Sequence, residues 1–133
     1  MPELFSFDYS VVRIVPRVER GEFFNAGVIV FCPTQGFLQS RIELDSARLS
    51  ALAPNLDGAE IEHHLRVISE VCEGGKAAGC IGALPQRARF HWLVAPRSTI
   101  IQMAPVHSGL CENLNRALDD LFDKMVRLPP IGN

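Results

Sequence analysis

The chain lacks a large excess of charge of either sign. Its 133 residues include 13 Lys and Arg against 15 Asp and Glu, which gives a formal net charge of −2 at pH 7. Such a balance creates no overall field that would gather nucleic acid or anionic lipid, although a local basic patch remains open. We therefore do not expect nucleic acid to be the main partner of this protein.

Long apolar runs are also missing. The longest, residues 28–32, is far shorter than the ~20 residues that a membrane-spanning helix needs. The first residues show neither the basic start nor the apolar core of a secretory signal. The sequence thus predicts a cytoplasmic protein with no membrane partner.

Cysteines and histidines at the short spacings of metal-binding motifs do not occur in the sequence. The four cysteines are Cys32, Cys72, Cys80 and Cys111, and they form no C-x-x-C pair. No histidine stands at the short spacing that a structural zinc site would use. Because cysteines in a reducing cytoplasm stay unpaired, we expect four free thiols. The sequence predicts no metal and no organic cofactor.

What the chain does contain is an ordinary globular composition, with 47% hydrophobic and 21% charged residues. Its length suits one core, and it shows no internal repeat. We expect a single domain over residues 1–133.

Apolar patterning predicts four strands. The first three cover residues 5–15, 25–32 and 37–44, and the turn at residues 33–36 ends in glycine, which is typical of a hairpin. The fourth is predicted at residues 98–104, between two prolines.

Helical spacing and capping signals predict the remaining elements. A cap at residues 45–46 begins a short helix, and Asp57 begins a longer one that ends at glycines 74–75. Further helices are predicted at residues 85–94 and 113–127. The order β-β-β-α-α-(α)-β-α predicts an α+β fold, in which a small antiparallel sheet of about four strands has its helices packed on one face.

Arg13 is a charged residue within the first predicted strand, on the same face as Tyr9 and Val11. If helices cover that face, its guanidinium needs a carboxylate partner, and Glu22 is the nearest candidate in sequence. A buried pair would hold the hairpin together, whereas a half-exposed pair could bind a ligand; we favour the first. Asn25 stands where the chain enters the second strand, and backbone geometry explains it best.

The stretch at residues 90–109 looks selected for more than packing. It holds the only tryptophan, Trp92, two of the four histidines, and the cluster Arg97, Ser98 and Thr99. An arginine beside two hydroxyl groups could contact an anion, but a structural role for Arg97 is the favoured reading. Trp92 is interpreted as a large core or interface residue.

The same stretch offers Ser98 or Ser108 with His107 as a nucleophile and its base. A strand rises ~3.3 Å per residue, so Ser98 and Pro105 should lie roughly 23 Å apart. Ser108 and His107 are neighbours, and neighbouring side chains of an extended chain point apart. The residues therefore predict no catalytic dyad.

Two blocks of the chain resemble a known family. They read YSVVRIVPRVERGEFFNAGVIVF at residues 9–31 and FHWLVAPRSTIIQMAPVHSG at residues 90–109. In order and spacing they resemble the bacterial family called domain of unknown function 3037 (DUF3037), and the similarity extends over nearly the whole chain. The matching positions are Arg13, Pro16, Glu22, Asn25, Gly27, Trp92, Pro96, Arg97, Ser98, Thr99, His107, Ser108 and Gly109. Ile14 departs from the pattern, since an aromatic residue is expected there.

The resemblance implies no enzymatic activity. Members of the family are often encoded next to kinase-like proteins of the HipA type, which implies an accessory or partner role. The function we favour is therefore a non-catalytic interaction module that docks a protein through its sheet edge or the Trp92 region. That protein is unidentified and a HipA-like, kinase-type protein is one candidate; self-association into a homo-oligomer is also open.

Two other functions are left open. One is a small enzyme or a nucleotide- or phosphate-binding domain, which would bring Arg13, Glu22, Arg97 and His107 into one pocket. The other is weak binding of single-stranded nucleic acid by interleaved basic and aromatic residues. The residues for this are Arg87, Arg89, Phe90, Trp92 and Arg97.

Overall fold

The computed structural model describes residues 3–97 and 99–127, and within them an antiparallel sheet carries the fold. Its strands are β1 (Phe5–Ile14), β2 (Phe24–Cys32), β3 (Phe37–Ile42), β4 (Ile101–Met103) and β5 (His107–Cys111). The order is β3-β2-β1-β4, and β5 also pairs with β1. The α+β class and the antiparallel sheet are confirmed.

Five helices accompany the sheet in the described part of the chain. They are α1 (Ser46–Leu52), α2 (Gly58–Glu73), α3 (Gly79–Gly82), α4 (Gln86–Val94) and α5 (Leu114–Met125). The predicted cap of α2 forms, because the side chain of Asp57 accepts hydrogen bonds from the backbone N–H groups of Ala59 and Glu60. Asn113 caps α5 in the same way, accepting from the N–H of Arg116 at 3.0 Å.

The fourth strand differs from its prediction. It begins at Ile101 rather than at residue 98, and the chain then adds β5, which was not predicted. Both strands run along the same edge of β1, but the pairs Val12 with Met103 and Tyr9 with His107 differ in register by one residue. Pro105 has no N–H to donate, so the chain bulges there before it resumes pairing. Ser98 lies outside the described residues.

Helices cover both faces of the sheet, so the prediction that they pack on one face is wrong. Val28 and Val30 point toward α5 and join a cluster that contains Phe122. Ile29 and Phe31 point the other way, into a cluster shared with α2 and α4. Since neighbouring residues of a strand alternate between faces, an all-apolar β2 requires cover on each side.

One buried charge, Arg89 on α4, holds two helices together. Only 8% of this residue is exposed. Its Nη1 donates to the carbonyls of Val71 and Cys72, both at 2.8 Å, and its Nε donates to the carbonyl of Leu84 at 2.9 Å. Those carbonyls near the end of α2 lack helical partners and carry the negative end of the helix dipole, so they compensate the charge without a carboxylate.

The backbone at the C-terminal end of α2 leaves room for this guanidinium. Gly74 has a φ of +79°, and a Cβ atom there would lie 2.7 Å from Nη1 of Arg89. Glycine is therefore required twice, by the backbone conformation and by the close approach of the charged group.

Replacing Arg89 by methionine should lower the free energy of unfolding by about 2–4 kcal/mol, because buried carbonyls lose a charged donor. Urea unfolding followed by circular dichroism would measure the loss. The matched control is Arg87→Met on the same helix, where the side chain is exposed and the cost should stay below about 1 kcal/mol. Equal losses in the two variants would contradict this account.

Candidate functional site

A groove of about 510 Å³ lies between α2 and the segment that connects α4 to β4. We call it the Trp92 groove. On the α2 side its apolar wall includes Ile61, Val67 and Ile68, and on the opposite side it includes Trp92, Ile100 and Ile101. Its volume is that of a ligand-binding cleft.

Helical spacing explains the α2 wall. Residues 57, 60, 61, 64, 67 and 68 line the groove and follow one another at intervals that place them on one helix face. From Asp57 to Ile68 this stripe is about 16 Å long at the rise of an α-helix. The groove is therefore elongated.

The opposite wall is built around Trp92 and Arg97. The guanidinium carbon of Arg97 lies 4.3 Å from the centre of the Trp92 ring, and its Nη2 donates to the Trp92 carbonyl at 2.6 Å. Trp92 nevertheless remains 37% exposed. The cation over one part of the indole orients it, and the exposed remainder is available as contact surface.

The segment that follows Arg97 is tied by local hydrogen bonds. The hydroxyl of Thr99 donates to the carbonyl of Ile101 at 2.7 Å, and Nε2 of Gln102 donates to the carbonyl of Thr99 at 3.0 Å. The backbone N–H of Val15 donates to the carbonyl of Ile100 at 2.6 Å, which fixes the segment to the end of β1. This wall therefore has a defined position.

Charged groups of opposite sign line the groove. The α2 side carries Asp57 and Glu60, with Nε2 of His64 3.8 Å from Oε1 of Glu60. The other side carries Arg97. In the described part of the chain, no ion pair within 4.0 Å joins Arg97 to these carboxylates. Arg97 and the two carboxylates are therefore not paired with one another.

Arg13 lies on the opposite face of the sheet from this groove, and its expected pairing with Glu22 is wrong. Glu22 instead forms an ion pair with Arg20 across the glycine turn at Gly21. The guanidinium carbon of Arg13 lies 4.1 Å from the centre of the Phe23 ring, so its charge rests on an aromatic face. The turn brings Arg20 closer to the carboxylate than Arg13 can come.

Asn25 has a tertiary contact beyond backbone geometry. It pairs with Arg13 in the sheet register, and its Nδ2 donates to the carbonyl of Met125 at 2.9 Å, which ties β2 to the end of α5. Nε of Arg13 and Oδ1 of Asn25 are both buried without a hydrogen-bond partner among the described residues.

His107 and Ser108 lie on β5, away from the groove. The His107 ring packs 5.7 Å from that of Tyr9, while the Ser108 hydroxyl donates to Oδ1 of Asp8 at 2.8 Å. Ile101 at the groove pairs with Ile14 and His107 pairs with Tyr9, so Ile101 and His107 are separated by roughly 17 Å along β1. Of the predicted site residues, the structure brings together Trp92 and Arg97, and it does not gather Arg13, Glu22, Arg97 and His107 into one pocket.

The basic and aromatic residues suggested for nucleic-acid binding have a packing explanation. Arg89 and Phe90 are buried, and the Phe90 ring stacks on Phe31 with centres 4.9 Å apart. Only part of the interleaved pattern therefore reaches the surface.

Two thiols of the described chain have a raised pKa. Burial raises the pKa of the Cys72 thiol to about 12, and burial, followed by the proximity of Cys32, raises the pKa of Cys111. All four cysteines are free. Within residues 3–97 and 99–127, no group of three or more metal-ligating side chains occurs.

A family profile described as "Protein of unknown function (DUF3037)" matches residues 9–126. The chain belongs to the DUF3037 family. The resemblance seen in the sequence is thereby confirmed, and the match spans both walls of the Trp92 groove. Neither the curated proteins nor the solved structures that were searched gave a match. In the described part of this DUF3037 chain, no helix is long and apolar enough to cross a membrane.

Sequence reasoning missed the α2 side of the groove. Ile61 and Ile68 fall on a helical stripe that predicts core packing, and both are indeed buried. The available signal was the polar set Asp57, Glu60 and His64, which recurs at helical spacing beside that stripe. Such a pattern does not identify the element that lies opposite.

The burial of the thiols predicts an order of chemical labelling. At about pH 8, a pKa of about 12 leaves roughly one Cys72 molecule in ten thousand as the reactive thiolate. In the folded protein a chromogenic disulfide reagent should therefore label the exposed Cys80 first, and Cys32 and Cys72 only after denaturation. The variant Cys80→Ser should lack the fast phase; rapid labelling of Cys72 in the native protein would contradict the structure.

Proposed function

We propose that this DUF3037 protein is a non-catalytic interaction module that binds a segment of a partner protein in the Trp92 groove. The observation that carries the proposal is an open, largely apolar groove built around an exposed tryptophan. Tryptophan and arginine are the side chains most enriched among residues that dominate binding energy at protein interfaces. Here the guanidinium carbon of Arg97 lies 4.3 Å from the centre of the Trp92 ring.

The shape of the groove favours a polypeptide segment as the ligand. Its α2 wall is about 16 Å long, and an extended chain covers this length with roughly five residues. Apolar walls on both sides would bury the side chains of such a segment, while the charged rim would remain in contact with water. A hydrophobic centre with a polar rim is the usual anatomy of an interface.

A non-catalytic role is supported by the separation of the reactive side chains. Arg97 stands in the groove, Glu22 pairs with Arg20, and His107 packs on β5 beside Tyr9. A reaction on one small substrate would need such groups within hydrogen-bond reach of the same atoms. The geometry instead supports recognition.

The partner we propose is a kinase-like protein of the HipA type in a cytoplasmic bacterial setting. This choice follows the gene neighbourhood of the family, which is an association and not a mechanism. The groove supplies the physical part of the proposal, namely a surface that an apolar segment of such a protein could occupy.

Replacing Ile100 by glutamate should abolish partner binding, because its exposed side chain lines the groove and a carboxylate there would be desolvated by an apolar segment. The test is co-purification of tagged protein with a HipA-type, kinase-like protein that is co-expressed with it. The matched control is Leu110→Glu, since Leu110 is 67% exposed on β5, outside the groove, and this variant should retain the partner.

Circular dichroism and thermal unfolding would verify that both variants are folded. Retention of the partner by Ile100→Glu, or its equal loss from Leu110→Glu, would overturn the groove as the docking site.

A further inference from the structure

We infer that the Trp92 groove selects a segment that presents a carboxylate to Arg97 and a basic side chain to Glu60, with apolar residues between them. This inference rests on the proposed function and adds the chemistry of the occupant. It follows from the charged residues on the two walls of the groove. Apolar contacts alone would not require a ligand with charged side chains.

Arg97 is positioned to receive an acidic group. Its Nη2 donates to the Trp92 carbonyl and its guanidinium carbon lies 4.3 Å from the centre of the Trp92 ring, and these two contacts hold the side chain at the groove. No carboxylate among residues 3–97 and 99–127 lies within 4.0 Å of it. A guanidinium has five N–H donors in a planar fork, so several remain for an incoming carboxylate.

The α2 wall carries acidic side chains rather than basic ones. Asp57 uses its Oδ1 as the acceptor for the first turn of α2, so its carboxylate is partly occupied. Glu60 is exposed, and its neighbour His64 lies at 3.8 Å, beyond the distance of a good hydrogen bond. Glu60 is therefore the acidic group best placed to meet a basic residue of the ligand.

Arg97 and Glu60 can select among ligands because they are not paired with each other. If Arg97 and Glu60 formed an ion pair, a ligand would have to break it and would gain little. Because both line the groove and form no ion pair with each other, a segment that occupies the groove can pair with both. Both groups are exposed, so each pair would form at the rim of the groove, where its contribution is largest at low ionic strength.

The test uses synthetic pentapeptides with blocked ends and the order Lys-Leu-Ile-Leu-Asp, together with the reversed order and versions in which Asn replaces Asp. Trp92 is the only tryptophan in the chain, so its fluorescence reports occupancy of the groove directly. At low salt, one of the two peptides that contain Asp should bind about tenfold more tightly than the peptide of the same order in which Asn replaces Asp.

Arg97→Gln should remove that tenfold preference without abolishing the fluorescence change, as a double-mutant cycle requires. Arg116→Gln, an exposed arginine on α5, is the matched control and should keep the preference. The inference is overturned if wild type binds the Asp and Asn peptides equally, if none of the peptides changes the Trp92 signal, or if Arg97→Gln leaves the ratio intact.

Failure of this inference can be told apart from failure of the proposed function. Loss of the partner from Ile100→Glu together with equal binding of Asp and Asn peptides would keep the docking site and reject the charge selection. A clear Asp preference together with normal partner binding by Ile100→Glu would support the charge selection and reject the groove as the docking site for that protein.

Discussion

The structure depends on the fact that β2 is apolar on both faces. Its side chains from Ala26 to Cys32 are buried, whichever way they point. A strand with no solvent-exposed face has to lie inside the sheet, and both faces of the sheet have to be covered there. For that reason β1 and β3 flank it, α5 lies across one face, and α2 with α4 occupies the other.

The Trp92 groove is a consequence of how the second of these faces is covered. The helices α2 and α4 are joined at one end by Arg89, which binds the last carbonyls of α2 from within α4. Beyond α4 the chain returns to the edge of the sheet, where it forms β4. The space between this returning segment and α2 is left open, and Trp92 stands on its wall.

This arrangement gives Arg89 and Arg97 different roles. Arg89 is buried and its charge is compensated by carbonyl groups, so it supports packing. Arg97 is exposed and rests on an aromatic ring, so its remaining donors face solvent. Composition alone does not separate a structural arginine from a binding one, because the distinction is set by burial and by the acceptors within reach.

Local features of the sequence determined the α+β class, the first three strands, the Asp57 cap of α2, and the helices α4 and α5. These depend on periodicity and capping within a few neighbouring residues. Tertiary structure decided that helices cover both faces, that β5 resumes after a bulge, that Glu22 pairs with Arg20, and that Arg97 and Glu60 line the same groove. Those outcomes depend on contacts between residues that are mostly distant along the chain, and such contacts form only when the sheet and its helices come together.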